Sequence, residues 1–148
     1  NAHGVITQAF ITVANEFHFT KEIVPYFPAF ITVDVIINQI KNGLVLYAYV
    51  ESGKVIGTIG ILEIGNNIYK IERLAVLPDQ RHKNIGRILM NHAIECIKRQ
   101  NGKVVKVEIV YENTKLKKWY ENQGFKVTSV DSYEYLPFQV GVLEKGLW

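Results

Sequence analysis

Between Tyr69 and Tyr111 the chain has few ways to fold. Tyr69 to Val76 reads as a strand that ends in the apolar Leu74-Ala75-Val76-Leu77, and Pro78 ends it. From Ile85 to about Gln100 the stripe positions are Ile85, Ile88, Leu89, His92, Ala93, Cys96 and Ile97, the i, i+3, i+4 pattern of an amphipathic helix. Asn101-Gly102 stops that helix, and Val104 to Tyr111 is β-branched. Strand, helix and strand in close succession imply a right-handed parallel crossover. The loop that opens the helix, Arg81-His82-Lys83-Asn84, is basic. A helix N-terminus at the end of a buried strand is a ready anion site. Its first N–H groups lack partners, and the helix dipole favours negative charge there.

The flanking segments read mainly as strands. Leu44–Val50 and Val55–Leu62 flank the turn Glu51-Ser52-Gly53-Lys54 as a hairpin, and Gly65-Asn66-Asn67 turns the chain into Tyr69–Val76, the third strand of the meander. Asn113 or Thr114 begins a second helix that ends at Gly124. Phe125–Ser132 and Gln139–Leu147 are closing strands, an antiparallel pair around Tyr135-Leu136-Pro137. Before the meander, Thr32 is an N-cap for a helix carrying Val33, Ile36, Ile37 and Ile40, with Asn42-Gly43 as its stop. Val5–Phe17 reads as a short strand running into a helix, with Ala9, Val13, Ala14 and Phe17 on one apolar face. His18–Phe30 is aromatic and broken by Pro25 and Pro28, so no regular helix can cross it. The expected fold class is α/β. A mostly antiparallel twisted sheet contains one parallel βαβ unit and is flanked by helices.

No repeat or linker divides the 148 residues, so one domain over 1–148 is expected, with Asn1 and Ala2 read as a processing or cloning scar. No apolar run reaches the ~20 residues of a membrane helix, and no secretory signal is visible. A single cysteine excludes an internal disulfide framework and a cysteine zinc cluster, and suits a cytoplasmic protein. No His, Asp or Glu grouping has metal-ligand spacing, so no metal is expected. A net charge of +3 suits an anionic ligand and is too weak to argue for nucleic acid.

The strand IERLAVLP, the loop Arg81-His82-Lys83-Asn84-Ile85-Gly86, the helix and strand that follow, Asn113, and then Trp119-Tyr120-Glu121-Asn122-Gln123-Gly124-Phe125 resemble the GNAT superfamily of acyl-CoA-dependent N-acetyltransferases. The likeness covers roughly residues 44–147. The family's phosphate loop is Q/R-x-x-G-x-G/A; Arg81 matches its first position and Gly86 its last. Asn84 stands where the family usually has glycine, and Asn is the residue next best suited to a positive φ. The resemblance implies that acetyl-CoA is the cosubstrate. Its diphosphate would rest on the loop Arg81, His82, Lys83, Asn84, Ile85, Gly86 and Arg87, and its pantetheine arm along Leu74, Ala75 and Val76. Asn113 would hydrogen-bond the arm from the other side, or else only cap the helix at Thr114.

Acetyl transfer from a thioester to an amine needs a base for the ammonium and an acid for the departing thiolate. By resemblance Tyr120, seven residues after Asn113 and four before Gly124, is the acid. A backbone N–H of Leu74 or Val76 would meet the oxyanion. Glu72 and Glu108 both lie in apolar strands and are the candidate bases, with Glu72 preferred, acting through water. The plain alternative for each is a salt bridge, Glu108 with the neighbours of Lys106 or Glu72 with those of Arg73. Alternation places Glu72 on one face with Leu74 and Val76. Cys96 and His92 fall on the buried stripe of the long helix and read as core, and His18 is a candidate for the acceptor wall. The expected partners are acetyl-CoA and a primary amine, without nucleic acid or membrane, in a monomer or homodimer. The rival reading is a non-catalytic acyl-CoA-binding sensor or regulatory module. Phe17, Phe19, Tyr26, Phe27 and Phe30 would suit an apolar or extended amine, whereas a polyamine would want more acid than this segment has.

Overall fold

A computed structural model describes residues 1–147. The elements run α1 (Ala2–Phe17), α2 (Val33–Lys41), β1 (Val45–Glu51), β2 (Lys54–Gly65), β3 (Ile68–Val76), a 3-10 turn at Pro78–Gln80, α3 (Ile85–Arg99), β4 (Val104–Val110), α4 (Thr114–Asn122), β5 (Lys126–Ser132) and β6 (Gln139–Gly146). Among the described residues the strands form one six-stranded sheet in the order β1-β2-β3-β4-β6-β5. Only β3 and β4 pair in parallel. This is the mixed sheet with one parallel crossover that the pattern predicts. No described helix is long and apolar enough to cross a membrane.

The sheet is covered on both faces at its centre, so β2 is buried without interruption from Ile56 to Ile61. Helix α3 lies on one face. A Cβ on Gly57 would sit 2.9 Å from Leu89 Cδ1 and 3.1 Å from Ile85 Cγ2, so the absence of a side chain there lets the helix settle onto the strand. Helix α1 packs against β2 and β3. Hairpin turns fall where expected, with Ser52 at φ 50° and Gly53 at φ 76°, and with Asn66 and Asn67 at φ 55° and 61°.

Two expectations need correction. Val5–Phe17 contains no strand, because helix begins at Ala2. The Asn1 side chain caps it by accepting the Gly4 N–H at 2.7 Å, and Val5, Ile6, Ala9 and Ala14 bury its inner face. The run Val5-Ile6-Thr7 has strand-like propensity, and tertiary burial overrides it. In α3 the stripe is rotated. Ile85, Leu89, Ala93 and Ile97 are buried as expected, but Met90 and Ile94 complete the face, while Ile88 and His92 are exposed and Cys96 is half-buried. Both flanks of an 85-89-93-97 row are apolar here, so periodicity alone does not choose between them.

Candidate active site

Parallel pairing of β3 with β4 ends at Lys70↔Lys106. Past that pair the strands diverge, and residues 70–76 and 107–110 line opposite walls of a cleft of about 1450 Å³. The edge of β3 that faces β4 therefore presents backbone groups with no strand partner over Leu74, Ala75 and Val76. The basic loop and the first turn of α3 close one end. Helix α1, the 23–28 segment and the β5–β6 bend supply further walls.

The loop is built from left-handed residues. Asn84 takes φ 67°, ψ 12° and His82 takes φ 65°. Successive N–H groups in such a conformation converge on one concavity. Asn84 makes no side-chain cap to α3, so the N–H groups of the first turn stay open to the cleft, where Ile85, Gly86 and Arg87 lie. A Cβ at Gly86 would meet Trp119 Cζ2 at 3.4 Å and Val76 Cγ2 at 4.0 Å, ordinary contacts. Gly86 thus lies where α3 meets Trp119 of α4, and it also lines the cleft. Arg81 is anchored to α1, its guanidinium donating to Ala9 O at 3.0 Å and to Thr12 Oγ1 at 3.2 Å, and Lys83 Nζ donates to Gln80 Oε1 at 2.9 Å. The positive charges are thereby held around the loop. Asn84→Val is expected to cost about 1–2 kcal/mol, the left-handed penalty of a β-branched residue, whereas Asn84→Gly should cost none of it. Thermal unfolding of the two variants checks this.

Strict alternation fails in β3. Tyr69 Oη reaches Gln100 Oε1 at the end of α3 at 3.2 Å, so Tyr69 and Ile71 face that helix and Lys70 and Glu72 face away from it. Val76 is the partner of Gly57, which lies under Leu89 and Ile85, so Val76 faces α3. The reversal comes from a β-bulge. The register shifts between Thr58↔Ala75 and Gly60↔Glu72, and Arg73 adopts φ 55°. The buried Thr58 hydroxyl donates to Arg73 O at 2.8 Å and Arg73 Nε donates to Gln39 Oε1 at 3.0 Å, which hold the strained residue in place. Glu72 therefore does not share a face with Val76, contrary to the alternation expected from sequence.

Both candidate carboxylates line the cleft, and one lysine joins them. Lys70 Nζ lies 2.8 Å from Glu108 Oε1 and 3.2 Å from Glu72 Oε1. Burial disfavours the Lys70 charge, but hydrogen bonds and Coulomb attraction from Glu108 and Glu72 outweigh it and hold the ammonium above the usual lysine range. The ion pairs expected with neighbours of Lys106 and Arg73 are thus one shared pair. Lys106 itself pairs with Glu144 at 3.6 Å. Sequence reasoning missed Lys70, although its place two residues before Glu72 puts it on the same strand face.

Tyr120 is 5% exposed and lines the cleft from α4, its ring packed edge-on to Trp119 at 5.1 Å and to Phe125 at 5.4 Å. Burial pushes its phenol well above the ordinary tyrosine range. Asn113 also lines the cleft; its Oδ1 accepts the Leu116 N–H at 3.2 Å, so it does cap α4, and its amide NH₂ is not used in that cap. The aromatic segment contributes Tyr26 and Phe27 to the lining, while Phe19 packs behind Phe27 at 5.2 Å and against Phe138 at 4.9 Å. His18 ends α1 at φ 61° and is not part of the lining. Cys96 also lies off the cleft, its Sγ 3.5 Å from His92 Nε2. No group of three or more His, Cys, Asp or Glu able to hold a metal occurs among the described residues.

Comparison with known proteins gives this geometry its context. Among solved structures, the PaiA N-acetyltransferase of Thermoplasma acidophilum, in complex with coenzyme A, superposes with TM-score 0.73 at 19% identity, covering 98% of this chain and 90% of that one. An IAA acetyltransferase from Bacillus cereus ATCC 14579 gives TM-score 0.69 at 22% identity, over 78% and 85% of the two chains. A GNAT family acetyltransferase from Elizabethkingia anophelis with acetyl-CoA bound gives TM-score 0.69 at 17% identity, over 78% and 84%. At these identities the likeness is one of fold. No protein of curated function matches the sequence significantly. The model of the acetyltransferase (GNAT) family matches residues 12–125, most of the chain, and the protein therefore belongs to the GNAT acetyltransferase family.

Proposed function

We propose that this chain transfers the acetyl group of acetyl-CoA directly to a primary amine, of a small molecule or a peptide, in a ternary complex, and that it does so in the cytoplasm. One observation carries the reading. A single cleft brings together an uncapped helix N-terminus, an unpaired strand edge, a protonated phenol and a pair of carboxylates. The residues fit the cosubstrate. The nest at His82–Gly86 suits a diphosphate, the free edge of Leu74–Val76 suits an amide-bearing arm, and the Asn113 amide can donate from the facing side.

In this reading the amine loses its proton to Glu72 through water, and its nitrogen forms a bond to the thioester carbonyl carbon. The carbonyl oxygen, held by a backbone N–H at Leu74 or Val76, takes the developing charge. The carbon–sulfur bond then breaks, and the thiolate takes its proton from Tyr120. Trp119 and Tyr120 belong to α4, which meets α3 at Gly86, so the acid approaches the gap between the strands from the α3 side. Glu72 and Glu108 approach from the other, where α1 supplies Phe10, Val13 and Glu16. A binding-only module would use the nest and the strand edge and have no use for the phenol or the carboxylates.

A thiol-release assay with acetyl-CoA over a panel of primary amines tests the proposal. Amine-dependent release with stoichiometric N-acetyl product is expected. Tight CoA binding without release for any amine would make the chain a sensor instead.

A further inference from the structure

We propose that Lys70 is a specificity-determining residue: by occupying Glu72 and Glu108 together it fits the acceptor site to an amine with one positive nitrogen and an apolar body, and excludes diamines. This rests on the acetyl-transfer reading above and adds the acceptor's class.

Lys70 stands at the vertex of the cleft, in the last β3–β4 pair before the strands part. Its ammonium takes the place an acceptor ammonium would otherwise seek, within 2.8 and 3.2 Å of the two carboxylates. The charged groups that β3 and β4 bring to the cleft are Lys70, Glu72 and Arg73 on β3 and Glu108 on β4; α1 adds Glu16, with the Arg81 guanidinium bound one turn before it at Thr12. Lys106, opposite Lys70 on β4, is spent on Glu144 of β6. Glu72 and Glu108 with the one ammonium between them leave a single negative charge on the strands. Without Lys70 the two carboxylates would stand without their shared cation, enough for two ammonium centres. The remaining walls are apolar, from Phe10 and Val24 to Leu136 and Phe138. Tyr26 and Tyr135 stand at the mouth, 86% and 74% exposed. A second, unpaired ammonium would have to shed water against these walls, whereas an aryl or alkyl body gains from them.

The test compares 2-phenylethylamine with 1,4-diaminobutane on wild type, Lys70→Met, Lys70→Gln and Lys70→Arg at saturating acetyl-CoA, with melting curves to confirm folding. Wild type should favour the monoamine. Lys70→Met and Lys70→Gln should shift the kcat/KM ratio towards the diamine by about tenfold or more, mainly through KM, and Lys70→Arg should keep the wild-type ratio. The acid limb of the monoamine profile should also move to higher pH in Lys70→Met, because the carboxylates lose the cation that favours their charged form. An unchanged ratio with an unmoved acid limb, or a wild type that takes the diamine as readily, would overturn the assignment. If no variant acetylates either amine, the acetyl-transfer reading fails by itself. Calorimetric binding of the same two amines to the CoA-loaded proteins then decides the role of Lys70, which stands if Lys70→Met gains diamine affinity and falls if it does not.

Discussion

Tyr120→Phe is expected to lower kcat by about a hundredfold or more while leaving CoA affinity and thermal stability near wild type. The substitution removes one hydroxyl and keeps the ring against Trp119 and Phe125. Burial alone raises the phenol, with no hydrogen bond contributing, so the fold loses no internal partner when it goes. The sign of the pH dependence follows. A phenol pushed upward keeps its proton across the neutral and mildly basic range, so the acid form is present wherever the amine is free base. The wild-type rate should therefore show no basic decline from Tyr120 below about pH 10. Steady-state kinetics with CoA titration measures all of this, and a Tyr120→Phe enzyme that turns over at the wild-type rate would remove the residue from the mechanism.

The second large effect is expected at Glu72. Glu72→Gln should reduce kcat/KM by about a hundredfold at neutral pH and flatten the acid limb that remains after allowing for the amine's own titration. Glu108→Gln should cost only a few-fold. Glu72 is the more enclosed of the two, at 19% side-chain exposure against 49%, so a water held beside it is better shielded from exchange. The two glutamates share Lys70, and each single variant leaves the lysine its other partner, which keeps the comparison fair. Should Glu108→Gln prove the crippling change and Glu72→Gln the mild one, the base is Glu108.

Much of this site could be read from residue types. Pro78, the basic loop and the stripe of α3 locate the anion end, and Asn84 takes the left-handed φ its side chain suggests. What escaped depends on non-local packing. The bulge at Arg73 leaves no mark in sequence, because arginine has no particular liking for φ 55°; Thr58 and Gln39, fifteen and thirty-four residues away, hold it there. Lys70 was within reach of alternation, but its bond to Glu108 requires knowing that β3 lies beside β4 and in which register. The start of α1 was misread for a related reason. Val5 and Ile6 look like strand until the sheet they cover is known.

The reversal at Arg73 bears on proton traffic. With Glu72 on one side of β3 and Tyr120 approaching from the other, every catalytic cycle would take a proton up on one face of the sheet and give one out on the opposite face. Because β3 and β4 are unpaired beyond Lys70, the two sides meet only through the gap between the strands, which is also where a thioester would lie. A bound cosubstrate would then stand between the base and the acid, and the direct route for a proton from one to the other would be open only while the gap is empty.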